Sequence, residues 1–265
     1  MFDSGDIEGS EEHFQAAFRV FTDLVNKVPD DLFSLRWLSI HDERFGNIAR
    51  ARANAGGMHA VWTPGEAGAH ARLDEFADGA ALNYQNKRNI PGVDGTSRMS
   101  PHLHFGEIGP RQVWRLITAR ALADSGNPMP VDIETYLSEI AWREFSYHLL
   151  FHFPRLPAAP LRPEFVRFPW IENAKGLSVW QRGLTGYPIV DAGMRQLWST
   201  GWMHNRVRMI VASFLIRDLL VHWQVREKWF WDTLVDADLA SNSANWQWVA
   251  GCGADASPYF RVFSP

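Results

Sequence analysis

Between Gly201 and Trp248 the chain runs Gly-Trp-Met-His-Asn-Arg-Val-Arg-Met (201–209), then Trp223, then Asp-Ala-Asp-Leu-Ala-Ser-Asn-Ser-Ala-Asn-Trp-Gln-Trp (236–248). Amide, guanidinium, carboxylate and indole groups alternate there at helical spacing. Such a mixture suits a large, flat, partly anionic aromatic cofactor held beside a nucleic-acid base. On a helix, Asn205, Arg208 and Met209 share one face, and Arg206 lies about 100° round. Val207, Ile210, Val211, Phe214 and Leu215 line the other side. A guanidinium in so apolar a helix needs a carboxylate, and Asp236 and Asp238 are the nearest in sequence. A binding site and a structural salt bridge are both open readings.

Two further sets join this one. Glu139, Trp142 and Arg143 stand at i, i+3 and i+4, so all three share a helix face, with Ile140, Phe145 and Leu149 available for a core side. They read either as a recognition face or as a surface Glu–Arg pair, worth only about 0.2–0.5 kcal/mol, beside a half-buried Trp. Thr96-Ser97-Arg98-Met99-Ser100-Pro101 is a hydroxyl-rich stretch before a helical segment. Hydroxyls and free N–H groups there could bind phosphate oxygens or serve merely as an N-cap. A phosphate-binding loop, two polar helix faces, a double-Asp loop and a Trp cluster together describe a dinucleotide site. No Gly-x-Gly-x-x-Gly fingerprint occurs, so the site is not of the Rossmann kind. No zinc spacing of Cys and His occurs either, and His102, His104, His148, His152, His204 and His222 are scattered.

The elements that must position these groups read as helices. A helix is expected at Ala67–Phe76, a loop at Arg88–Ser100, and a helix from Pro110, with Pro in the first turn, to about Ala123. A turn follows at Ser125–Pro130, then a helix at Ile133–Phe151. Five prolines make Pro154–Pro169 an irregular loop. Pro188 opens a helix that Gly201 closes. One apolar helix is expected over His204–Trp223 and another over Glu227–Leu234, with Asp236–Asn245 a loop or broken helix. Phe14–Lys27 has moderate apolar periodicity, and Ala49–Gly57 reads as a loop. No alternating strand pattern and no repeat is visible, so the expected fold is all-α.

The whole chain bounds these readings. Its 265 residues, 46% hydrophobic and 21% charged, describe a packed globular protein. No apolar run reaches the roughly 18–20 residues of a membrane span, and MFDSGDIEGSEEH lacks the regions of a signal peptide. Cys252 is the only cysteine, which suits a reducing, cytoplasmic setting. A net charge of −4 argues against a generic nucleic-acid binder while allowing a local basic patch. Thirteen Trp could simply fill a core.

Trp62-Thr-Pro-Gly-Glu, Tyr84, Thr96–Pro101, Glu139–Phe145, Trp180–Met194 and Gly201–Pro265 resemble the flavin domain of the photolyase/cryptochrome family, above all in Trp202-Met-His-Asn and Asn245-Trp-Gln-Trp-Val-Ala. The likeness runs from Trp62 to Pro265 and is nearest to the class I enzymes that repair cyclobutane pyrimidine dimers in DNA. It implies an all-helical domain, expected here over 61–265, with noncovalent FAD in a U-shaped conformation. Position by position, Tyr84, Thr96, Ser97, Arg98, Met99 and Ser100 resemble phosphate and ribose contacts. Arg208 and Asp236 resemble the pair flanking the isoalloxazine ring, Asp238 a carboxylate bonded to the flavin, and Asn242 the Asn near flavin N5. Glu139, Trp142, Arg143 and Asn205 are implied on the cofactor side as well. Together with Arg206, Met209, Trp248 and Arg261, those four also resemble the pocket for dimer and DNA. Trp246, Trp223 and Trp170 resemble the electron-hopping chain; with Glu139 and Asn242 they complete the implied catalytic set.

The implied roles suit the chemistry. Trp142 and Trp248 could wall a fused pyrimidine pair, a kind of stacking worth about 1–3 kcal/mol per base. Glu139 could bond its edge, Asn205 could bridge substrate and adenine, and Arg143 and Arg206 could hold bent phosphates. Photolyases belong to the enzymes that take a base out of the stack. The resemblance therefore implies a monomeric, light-driven DNA-repair lyase acting on pyrimidine-dimer DNA, with no membrane partner. Its alternative is a cryptochrome-like blue-light signalling flavoprotein. Asn242 favours repair, since plant cryptochromes usually carry Asp there and insect ones Cys. Asn205 and Met209 disfavour the (6-4) enzymes, which carry His at both places. Family members usually begin with an α/β antenna domain, and residues 1–60 read instead as a linker or remnant. A chain truncated at both ends, binding no antenna chromophore, is the expectation.

Overall fold

The computed structural model describes residues 56–125, 129–255 and 263. Expectations for Phe14–Lys27, most of residues 1–60, the middle of the Ser125–Pro130 turn and Arg261 lie outside them. Among the described residues every regular element is helical. The chain divides into two compact units, one ending at Phe145 and the other running from Ser146.

In the unit ending at Phe145, α1 spans Glu66–Asp78, α2 spans Pro110–Ser125, and α3 begins at Val131, continuing to His152. Short helical turns at Tyr84–Lys87 and Ser100–His104 flank the loop between them. Leu73 and Phe76 of α1, Val113 and Ile117 of α2, and Ile133, Tyr136 and Leu137 of α3 bury one shared core. Arg120 on α2 reaches back to α1, meeting Asp74 at 2.8 Å and also Asp78. Asp132 and Glu134 occupy the first turn of α3, where the helix dipole favours negative charge. Pro154 stands just past the end of α3 and cannot continue it.

The unit from Ser146 onward holds α4 (Ala174–Gln181), α5 (Pro188–Thr200), α6 (Asn205–Ser213), α7 (Trp223–Thr233) and α8 (Leu239–Ala250). Pro188 and Gly201 bound α5 as expected. Gly201 takes the left-handed conformation (φ 71°) that residues with a Cβ avoid. Trp180, Leu197, Met203, Leu215, Trp223, Phe230 and Trp246 belong to the core that these helices enclose. The proline-rich stretch is irregular apart from one 3-10 turn, Pro163–Arg167.

Two expected boundaries are corrected. The helix expected over His204–Trp223 is not continuous: α6 passes into a π turn, Phe214–Asp218, and the chain then leaves the helix. Leu220 has φ 49°, and α7 starts at Trp223, not Glu227. Val221 in the break is itself buried, so the apolar pattern runs on through non-helical backbone and hides the gap. The second correction concerns Asp236–Asn245, where Leu239 onward is helical. Ser and Asn are poor helix formers because their side chains compete for backbone bonds. Here Ser243 Oγ donates to Glu227 Oε1 at 2.5 Å and Asn242 Nδ2 to Glu227 O at 3.1 Å, both outside the helix, while Asn245 bonds back to the Ser241 carbonyl one turn earlier at 2.7 Å.

Candidate functional site

Arg208 on α6 is answered by Asp236. Its Nη2 lies 2.8 Å and 3.2 Å from the two carboxylate oxygens, and its Nε donates to Met203 O at 2.7 Å. The Asp236 side chain is 2% exposed and that of Arg208 25%, so the acid is sealed and the base keeps an open edge. Asp238, the other candidate, is used differently. One oxygen caps α8 by accepting the Ser241 N–H at 2.7 Å, and the other accepts the Tyr147 hydroxyl. Each carboxylate oxygen carries a second lone pair, so Asp238 can accept further N–H groups.

Asn242 lies one turn into α8. Its Nδ2 donates to Glu227 O at 3.1 Å, which turns its Oδ1, an acceptor, to the other side. Burial raises the Glu227 carboxyl above the ordinary range, while the Ser243 hydroxyl works against that rise. A fixed ion pair, a carboxylate with acceptor capacity left and an oriented amide oxygen form the donor and acceptor set that a flavin ring's polar edge needs. The residues present therefore fit the implied cofactor.

Of the three expected electron-relay indoles, two are buried and one lies nearer the surface. Trp223 and Trp246 are 1% and 4% exposed, and Trp170 is half-buried. His222 touches two of them, with ring centroids 5.2 Å from Trp170 and 5.8 Å from Trp223. Phe230 meets Trp246 edge-on at 5.0 Å and stacks with Trp180 at 6.1 Å. Asn205 is exposed at the start of α6, which the His204 imidazole caps by accepting the Arg206 N–H. Arg206 Nη1 lies 3.6 Å from Met209 Sδ, and Trp248 stacks on Phe263 at 6.0 Å.

In the unit ending at Phe145, Glu139 is paired with Arg88 at 2.5 Å, and the Arg88 guanidinium lies 5.2 Å from the Tyr84 ring centre. Arg143 pairs with Glu144 at 2.5 Å, and Trp142 meets Phe145 edge-on at 5.6 Å. Tyr84, Tyr136 and Phe76 form an aromatic triangle with centroids 4.6–5.8 Å apart. Burial pushes the Tyr136 hydroxyl up to about 12, and burial chiefly, with the Glu139 charge, raises Tyr84 further. Both stay neutral at physiological pH. In the loop, Thr96, Ser97 and Arg98 are half-buried, Met99 is buried and Ser100 exposed.

Several partners escaped the sequence reading: Arg88 for Glu139, Tyr147 for Asp238, Glu227 for Asn242, and His222 between two indoles. The first three carry no local signal, because Arg88 and Tyr147 are distant in sequence from their partners and Glu227 serves through a backbone atom. His222 precedes a helix, yet His is not among the residues favoured at an N-cap. Among the described residues no helix is long and apolar enough to cross a membrane, and no cluster of three metal-ligating side chains occurs.

Residues 136–265 match the family model described as the FAD binding domain of DNA photolyase. The chain is 57% identical over 205 residues to the deoxyribodipyrimidine photo-lyase of Agrobacterium fabrum, covering 77% of this chain and 42% of that protein. It is 39% identical over 226 residues to Cryptochrome-1 of Arabidopsis thaliana, covering 84% of this chain and 32% of the relative. Among solved structures it resembles a bacterial class III photolyase from Agrobacterium tumefaciens. The TM-score is 0.76 at 55% identity, over 81% of this chain and 44% of the other. The chain thus spans less than half the length of each of these relatives.

Proposed function

Because the chain carries the FAD-binding domain of the photolyase/cryptochrome family, we propose that it serves light-driven repair of cyclobutane pyrimidine dimers in DNA. The observation that carries this reading is the polar set Arg208, Asp236, Asp238 and Asn242. It is pinned by Met203 O, Tyr147 and Glu227 and lies wholly inside the matched region. FAD, when bound, supplies the light-driven electron chemistry.

The chain's own residues bind, orient and exclude water. Arg208, Asp236, Asp238 and Asn242 hold the flavin ring, and Tyr84 with residues 96–100 holds phosphate and ribose. Glu139 presents a carboxylate to the pyrimidine edge, and its pairing with Arg88 fixes the position of that carboxylate. Trp142 and Trp248 supply stacking surface, while Arg143, Arg206 and Arg261 meet the DNA backbone. Trp246, Trp223 and Trp170 are the oxidisable indoles that carry electrons to the flavin. The working unit is a monomer. For the subclass, 55% identity to a class III photolyase favours class III over the class I suggested by the motifs.

Signalling without repair is the second reading, supported by the 39% identity with Cryptochrome-1. The higher identity with a photo-lyase and the Asn at 242 favour repair. The deciding experiment is to purify the protein with FAD and illuminate it under reductant with dimer-containing oligonucleotides. Restored thymines support repair; bound, photoreducible FAD without any dimer splitting supports signalling. Folded protein that stays colourless with added FAD sinks both.

A further inference from the structure

Arg72 on α1 lies outside every motif described above, yet it grips the candidate phosphate loop through two backbone carbonyls and a carboxylate. Its Nε donates to Ser97 O at 3.0 Å and its Nη2 to Thr96 O at 3.2 Å. Nη2 also meets Asp94 Oδ1 at 3.3 Å, and Nη1 meets Glu75 Oε2 at 2.8 Å. Asp94 in turn holds Arg98 Nε at 3.4 Å.

The consequence follows from peptide geometry. In a trans peptide the C=O and the N–H of the next residue point in opposite directions. With the Thr96 and Ser97 carbonyls turned to Arg72, the N–H groups of Ser97 and Arg98 are turned away from it. Arg98 is also left-handed, at φ 53°. Successive N–H groups around a left-handed residue form a concavity suited to an anion. A second pin is independent of Arg72. A Cβ on Gly95 would stand 2.7 Å from Lys87 Cβ and 2.9 Å from Lys87 O, so the loop lies directly on the Tyr84–Lys87 turn.

We propose that Arg72 is a positioning residue for the cofactor: it holds loop 94–98 in the shape whose N–H face receives the diphosphate of FAD. The assignment rests on the flavin reading above. Arg72 acts from the carbonyl side and does not itself touch phosphate. A planar guanidinium fork spans two neighbouring carbonyls and a carboxylate; a lysine ammonium is a point charge and cannot.

The test compares FAD with riboflavin, which lacks phosphate, on apo-protein of the wild type and of Arg72→Lys and Arg72→Met, following flavin fluorescence and thermal melting. Both variants are expected to raise the FAD dissociation constant roughly tenfold, equivalent to about 1.4 kcal/mol, while leaving that of riboflavin nearly unchanged. Equal weakening of both ligands, or of neither, overturns the proposal, since a purely structural arginine would not distinguish them. Gly95→Ala displaces the loop while leaving Arg72 intact, so it serves if the Arg72 variants fail to fold. It should raise the FAD-to-riboflavin ratio of dissociation constants in the same direction, and an unchanged ratio overturns the idea. Wild-type protein that binds neither ligand overturns the flavin reading itself, which is a distinguishable outcome.

Discussion

Asp236 is nearly sealed from water while Arg208 keeps a quarter of its surface, so the two partners of one ion pair have unequal stakes. Replacing Asp236 by Asn keeps the shape and removes the charge. Breaking a buried pair costs about 3–5 kcal/mol; the lower end is expected here because Arg208 can turn to solvent. Urea unfolding of Asp236→Asn should show that loss, together with weaker FAD retention. Unchanged stability would mean the pair is held only by its neighbours. Trp246 poses a different question, because an indole is readily oxidised and a phenyl ring is not. Trp246→Phe keeps an aromatic ring edge-on to Phe230. It should slow flavin bleaching under light and reductant while FAD stays bound. Bleaching at the wild-type rate would take Trp246 out of the electron route.

Helix α8 shows how one element serves both fold and site. Its N-cap is Asp238, its second turn carries Asn242 and Trp246, and Gln247 faces the proline-rich loop. Gln247 is fully buried. Its Nε2 donates to Leu156 O at 2.7 Å and Ala159 O at 2.8 Å, and its Oε1 accepts the Leu161 N–H at 2.8 Å. Gln247→Leu would strand those backbone groups, each costing about 1–3 kcal/mol when left without a partner. A loss of several kcal/mol in urea and faster proteolysis within 154–169 are expected; a loss below about 1 kcal/mol would contradict this. Gly193 in α5 sets two effects against each other. Alanine favours a helix by about 1 kcal/mol, but its Cβ would stand 2.5 Å from Val207 Cγ1 on α6. Overpacking costs about 1–3 kcal/mol, so Gly193→Ala should destabilise the protein, and a rise in its melting temperature would refute the close α5–α6 contact.

For the whole molecule, cofactor and folding are linked by mass action. A ligand that binds only the folded state at a hundred times its dissociation constant adds about 2.7 kcal/mol. In a domain of this size that corresponds to roughly 5–10 °C. Stripping FAD from the purified protein should lower the melting temperature by about that amount, and adding FAD back should restore it. Indifference of the melt to FAD at saturation would mean that flavin and fold are not coupled. The net charge of −4 gives no general pull on DNA.

The chemistry-bearing residue types, their helical spacing, the absence of strand patterns and the Pro188–Gly201 bounds of α5 were all legible in the chain, because each is a local property. Periodicity reports which face is apolar, and proline and glycine report where backbone hydrogen bonding must stop. What packing alone decided are the pairings: Arg208 with Asp236 across 28 residues, Asn242 with the Glu227 carbonyl across 15, Tyr147 with Asp238 across 91, and Arg72 with Ser97 across 25. It also decided the break after Asp218 and the helix over Leu239–Ala250. In both places local preference misled, because burial carried an apolar pattern through irregular backbone and gave Ser243 and Asn242 partners on Glu227, outside their own helix. A sequence states what each residue can bond to; only the folded chain determines which partner comes within 3 Å, since that depends on elements far apart along the chain.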